Sequence, residues 1–167
     1  MEEMNEVLDE KNHVIGITTR SEIKERKLKH KAAFVIITNS KGQLYVAQRT
    51  ADKKNYPLMW VLGSGGAVRA GESFEEAAKR ELNEELGVKS EVKFIFDFNF
   101  ESPTISYWAQ VFTATWEKEV RIDKGEYVQG KWMTLDEINA LGKSSVISPD
   151  TWEYFQKYID YLSKSKF

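Results

Sequence analysis

Residues 80–88 read Arg-Glu-Leu-Asn-Glu-Glu-Leu-Gly-Val. Three carboxylates, Glu81, Glu84 and Glu85, fall within little more than one helical turn. Residues three and four apart are neighbours on a helix, so Glu81–Glu84 and Glu81–Glu85 share one edge. Like charges at that spacing destabilise an isolated helix by about 0.2–0.5 kcal/mol per pair. The cluster also lies in the last turns, beside the negative end of the helix dipole. Two electrostatic rules are broken at one place, which marks a site where a cation sits. Carboxylates without cysteine or a nearby histidine suit a hard ion, Mg²⁺ or Mn²⁺. Such an ion shares its remaining positions with water and substrate phosphates.

Working outward, the helix has clear ends. Ser73-Phe-Glu-Glu76 is a capping box at its start, and Gly87 is a left-handed stop after Leu86. Upstream, Gly63-Ser-Gly-Gly66 lets the backbone bend or approach a neighbour closely. Ala32 to Thr38 is a continuous apolar run of a buried strand, and Gln43 to Gln48 alternates as its hairpin partner. Val14–Thr18 and Trp60–Leu62 read as short strands, Ser21–Lys29 as helix or turn. Residues 50–59 read as a polar loop. Downstream, Glu91–Phe100, Ile105–Trp116 and Tyr127–Met133 read as strands. Alternation of Phe94, Phe96, Phe98 and Phe100 predicts one inward face. Thr134-x-x-Glu137 opens a short helix. From Pro149 a terminal amphipathic helix carries Trp152, Phe155, Ile159 and Leu162 on one stripe. Strands interleaved with a central and a terminal helix predict an α/β fold: an α/β/α sandwich with a mixed sheet, one domain over residues 1–167.

Bulk properties remove several function classes. The chain has 24 basic and 26 acidic residues, a formal charge of −2, against the basic face that a nucleic-acid polymer would need. Hydrophobic residues make up 41%, enough for a real core. The absence of cysteine removes disulfides, thiolate zinc sites and a cysteine nucleophile. The acidic N-terminus is not a secretory signal, and no apolar run reaches the roughly 20 residues of a membrane span. The expectation is a cytoplasmic protein with no membrane partner.

From Gly66 the chain continues GAVRAGE, SFEEAAK, RELNEELGV. Gly66, Glu72, Arg80-Glu81-Leu82, Glu84-Glu85 and Gly87-Val88 match every fixed position of the 23-residue Nudix box, here residues 66–88. The chain thus resembles the Nudix hydrolases. The resemblance implies a loop–helix–loop and hydrolysis of a small-molecule diphosphate with Mg²⁺ or Mn²⁺. By position, Glu84 and Glu85 look like metal ligands, and Glu81 like a further ligand or the base acting on water. Arg80 would orient Glu81. Glu72 would pair with Arg80, with Gly66 and Gly87 structural. Glu126 is the candidate outside the box to complete the metal site, with Asp123 and Glu119 as rivals. Dimers are common in the superfamily, so a homodimer is open. A non-catalytic module that binds nucleotide derivatives is the alternative from another class, and the intact box argues against it.

The first 60 residues narrow the resemblance. LDEKNHVIGITTRSEI, LKHKAAFVIITNSKGQLYVAQRT and ADKKNYPLMW are similar to isopentenyl-diphosphate isomerases. Where those enzymes place their cysteine, this chain has Gly65. Where they place metal-binding histidines it has Ile23 and Ala67, keeping only His30. Ile105 and Tyr107 fall at their glutamate pair. Isomerase chemistry is therefore the less favoured alternative, and a hydrolase site on an isomerase-like scaffold the favoured one. Arg49 and Lys53 match residues that hold diphosphate in the isomerases. A strand-end Arg offers bidentate phosphate contact and a loop Lys a point charge.

Overall fold

The computed structural model describes residues 1–165. In chain order it runs β1 (Met4–Leu8), β2 (Val14–Thr19), α1 (Arg20–Arg26), β3 (His30–Thr38), β4 (Leu44–Arg49), β5 (Trp60–Leu62), β6 (Ser64–Ala67) and α2 (Phe74–Leu86). It continues with β7 (Lys93–Glu101), β8 (Ser106–Thr115), β9 (Tyr127–Met133), α3 (Leu135–Lys143) and α4 (Pro149–Lys164).

β3 organises the sheet. It runs parallel to β8 from His30 opposite Tyr107 to Thr38 opposite Thr115. It runs antiparallel to β6, with Ala33 opposite Gly66 and Val35 opposite Ser64. Its ends meet β1 and β4. β4 carries β5 and β9 as antiparallel partners, β7 flanks β8, and β2 forms an edge beside β1. The mixed sheet matches the sequence expectation.

The apolar run of β3 follows from burial on both faces. Ala33, Val35 and Ile37 point to the side where Ala77, Ala78, Leu82 and Leu86 of α2 pack. Ala32 and Ile36 point to the opposite side, against Tyr154, Phe155 and Tyr158 of α4. The sheet is thus the middle layer of an α/β/α sandwich.

Both ends of α2 form as the sequence predicts. The Ser73 hydroxyl accepts from the Glu76 amide, the Glu76 side chain accepts from the Ser73 amide, and Gly87 closes the helix at φ 64°. The Thr134–Glu137 box caps α3 in the same way.

Two expectations need correction, and one strand was not foreseen. β1, in the acidic N-terminus, was not legible as a strand. A β-bulge between Phe94 and Phe96 shifts the register of β7. Phe98 and Phe100 are buried as expected, whereas Phe94 is 46% exposed and packs edge-on against Phe112. On α4, Tyr154, Phe155 and Tyr158 are the buried aromatics, and Trp152, Ile159 and Leu162 lie at the margin of the core.

Candidate active site

The site gathers around α2 and the strand that faces it. Glycine at 66 is dictated by space. A Cβ there would stand 2.5 Å from Glu81 Oε1, so the bare backbone of β6 lets the Glu81 carboxylate lie against it. Gly65 is equally constrained, because a Cβ would collide with the Phe34 ring and come 2.7 Å from the Ala33 carbonyl oxygen.

Arg80 ties the box together. Its Nε and Nη2 donate to the two oxygens of Glu72 at 2.7 and 2.9 Å, a bidentate pair. Its Nη1 donates to Glu81 Oε1 at 2.8 Å, and its Nη2 reaches the Ala67 carbonyl at 3.2 Å. The same Nη1 lies 3.5 Å from Glu84. These carboxylates hold the guanidinium firmly protonated, Glu72 foremost. Burial alone would raise the Glu72 carboxyl, but Arg80 and the Arg69 amide outweigh it and leave it below its ordinary value.

The three helix carboxylates have different environments. Glu84 is 51% exposed. Glu81 is half-buried, and burial, opposed by Arg80, raises its pKa. Glu85 is 7% exposed and has no ion pair among the described residues. It accepts from the Gly65 amide at 3.0 Å and the Tyr127 hydroxyl at 3.1 Å. Both bonds fall on Oε1, leaving Oε2 without a hydrogen-bond partner among the described residues. Burial, reinforced by Glu81 and less by Glu126, pushes the Glu85 carboxyl well above its ordinary range. The strain foreseen for the whole trio is therefore concentrated on Glu85, since Arg80 relieves Glu81 and Glu84.

Glu126 ends the loop before β9, and its carboxylate meets Lys53 Nζ at 2.8 Å. Its backbone carbonyl accepts from the Thr50 amide, which pins the 50–59 loop beside β9. Of the two rivals, Asp123 turns its carboxylate to the Gly125 amide, and the backbone carbonyl of Glu119 accepts from the Trp116 indole. Arg49 donates Nε to the Asn55 carbonyl at 3.1 Å. Arg49, Lys53, Glu126 and Glu85 are thus brought to one region with Glu81. Arg69 pairs with Glu3 on the surface instead.

One cation was missed by sequence reasoning. Arg20, at the start of α1, places Nη1 3.3 Å from His30 Nε2, while His30 Nδ1 lies 3.1 Å from the Leu28 carbonyl. The signal in the sequence was slight, a single Arg in a charged stretch.

Among the described residues, no three acidic or imidazole groups stand together at metal-ligand spacing. Arg80 draws Glu81 aside and Glu84 turns to solvent. The donor set nevertheless fits a divalent ion: carboxylate oxygens alone, one of them buried without a cation and with a free oxygen.

The NUDIX domain family model matches residues 28–154. This chain belongs to the Nudix family of hydrolases. A Pseudomonas aeruginosa protein named "Uncharacterized Nudix hydrolase PA4841" is 32% identical over 154 residues, covering 92% of this chain and 91% of that protein. The Escherichia coli K12 Nudix hydrolase YfcD is 29% identical over 148 residues, covering 87% and 81%. Among solved structures, DR0079 from Deinococcus radiodurans superposes with a TM-score of 0.80 at 25% identity, covering 93% of this chain and 98% of that one. The Nudix domain match begins after α1, so Arg20 and its helix lie outside the part shared with the family model.

Proposed function

We propose that this Nudix hydrolase cleaves a phosphoanhydride in a nucleoside-diphosphate-X or other organic diphosphate, with Mg²⁺ or Mn²⁺. The observation that carries this reading is Glu85: a buried carboxylate without a counter-ion, beside Glu81 and Glu126. A buried unpaired anion is costly, and a divalent cation is the natural partner for it. Glu84, Glu85 and Glu81 would hold the ion, with Glu126 completing the set once Lys53 releases it.

When bound, the ion neutralises the diphosphate and lowers the pKa of an attacking water. The protein's own residues do the rest. Arg80 fixes Glu81, which is placed to accept a proton from water or to act as a further ligand. Arg49 and Lys53 bind phosphate oxygens and orient the chain of phosphates. Glu72 holds Arg80 and needs no contact with substrate. The Gly65 amide and Tyr127 hydroxyl keep Glu85 from turning away.

The isomerase alternative is disfavoured by the region around Gly65. Phe34 stacks on Tyr154 and leans on Tyr107 and Phe98, closing the space where a larger residue at position 65 would lie. His30 spends both ring nitrogens on Arg20 and the Leu28 carbonyl. A screen of diphosphate compounds with Mg²⁺ and Mn²⁺, reading phosphate or pyrophosphate release, tests the proposal. Metal-stimulated release that collapses in Glu85→Gln supports it. Ligand binding without release from any compound would favour a binding module instead.

A further inference from the structure

Exposed apolar side chains concentrate at one edge of the sheet. Among the described residues, Met1, Met4, Val14, Ile15 and Ile17 lie on or just before the β1–β2 hairpin, whereas Leu58, Phe94 and Val128 stand singly elsewhere. β2 is the first strand in the sheet order, and β1 is its one strand partner among the described residues. Its outer edge therefore offers backbone amides and carbonyls to a further strand. Proteins commonly guard such edges with charge, proline or a bulge. β7, whose one strand partner among the described residues is β8, is guarded in this way: Lys93, Asp97 and Glu101 are exposed along it. β2 lacks such charges. Val14-Ile-Gly-Ile-Thr-Thr19 carries no ionisable residue and no proline. Its one irregularity lies against β1, where Val7 is opposite Gly16 and Leu8 opposite Val14. The extra residue of that bulge is Ile15, 65% exposed, and Ile17 is 59% exposed. Two isoleucines in water on an open edge mark a surface that a partner strand would cover.

The chemistry of this edge fits a second copy of the same strand. A two-fold axis sets the strand against itself, so charges of one sign along it would face each other and destabilise the pair. A charge-free strand meets that requirement. With the axis at Gly16, antiparallel pairing sets Gly16 opposite Gly16, Ile15 opposite Ile17 and Val14 opposite Thr18 of the second copy. The same pairing lays the turn before one β2 beside the helix after the other. The turn, Asp9 to His13, has two carboxylates, Asp9 and Glu10, and one lysine, Lys11. α1 has three cations, Arg20, Lys24 and Arg26, and two carboxylates, Glu22 and Glu25. Opposite net charges therefore meet at both ends of the paired strands.

We propose that β2 is a self-association edge, on which two copies of this chain pair antiparallel about Gly16 and join their sheets into one. The strand has six residues, which span about 20 Å. A contact of that length is small beside the interface of a permanent dimer. The dimer therefore forms and parts with concentration. The proposal stands apart from the hydrolase reading above and needs neither metal nor substrate.

Sedimentation velocity over a range of concentrations tests the association, and a cysteine at the axis tests the register. The proteins are the wild type, Ile15→Lys/Ile17→Lys and Val128→Lys. Val128 is an exposed apolar residue of β9, separated from β2 by β1, β3 and β4. The wild type and Val128→Lys should pass from monomer to dimer as concentration rises. The double variant should associate about 10-fold more weakly or worse, as two apolar contacts are replaced by charge. The chain has no cysteine, so Gly16→Cys introduces a single thiol, and a Cβ at that position meets nothing within 4 Å in its own chain. Oxidation with copper phenanthroline should link this variant into a disulfide dimer, because residues opposite each other in an antiparallel pair have Cα atoms about 4.5–5.5 Å apart, within disulfide reach. Lys41→Cys, in the turn at the far end of β3, should stay unlinked. The crosslink reads the same edge if the double variant fails to fold. A wild type that stays monomeric up to about 1 mM overturns the proposal. So does a dimer that persists unweakened in the folded double variant, or one that Gly16→Cys does not link.

Discussion

At the residue scale, Glu85 is the decisive side chain. Its carboxylate is stabilised by two hydrogen bonds and opposed by burial and by Glu81. Glutamine keeps the shape and an acceptor for Gly65 and Tyr127 while removing the charge. Glu85→Gln should therefore raise Tm in metal-free buffer, at about 2–4 °C per kcal/mol relieved in a chain of this size. The same variant should lose about two orders of magnitude or more in turnover, since it forfeits charge stabilisation worth several kcal/mol. Differential scanning calorimetry and phosphate release check the pair. A lower Tm with intact turnover would contradict both halves.

His30 gives a pH prediction at the same scale. Burial first, and Arg20 second, push its pKa down to about 4, against about 6.5 in an unfolded chain. Between those values the unfolded state binds more protons than the folded one, so stability falls as pH is lowered from 6.5 towards 4. His30→Gln can still accept from Arg20 but does not titrate. Denaturant midpoints should fall more steeply for the wild type than for His30→Gln across that window. Parallel curves would show that His30 is not the buried neutral group described here.

At the element scale, the box runs from the end of a strand through a loop into a helix. Gly66→Ala would push on the end of the Glu81 side chain, which can swing away, so the fold should survive with Tm shifted by only a few degrees. Turnover should fall by about 10–100-fold because Glu81 leaves its place against Arg80. Ser73→Ala should do the reverse: lose about 1 kcal/mol of stability with the loss of the cap, and leave turnover nearly unchanged. Steady-state kinetics beside thermal melts separate the two cases. The helix ends were legible because capping residues act locally. The face of α4 and the bulge in β7 were not, because neighbouring strands and helices decide them.

At the scale of the whole molecule, the α/β/α layering was legible from the doubly apolar β3 and the two amphipathic helices. β1 was not, since Asn5 and Glu6 interrupt its apolar pattern and the bonds that seat it against residues 68–70 come from distant chain. The carboxylate edge could be read because it violates local electrostatics. Arg20 could not, because the partner of its side chain, His30, lies on another element. The site is thus an assembly in which a local motif supplies the acids and long-range packing supplies the opposing cations.

The most direct test of the account is Mn²⁺ binding followed by electron paramagnetic resonance, comparing the wild type with Glu84→Gln/Glu85→Gln. The wild type should bind Mn²⁺, and the double variant should bind it about 10-fold more weakly or worse while remaining folded. Identical affinity and stoichiometry in the two proteins would show that the acidic edge of α2 does not hold the ion.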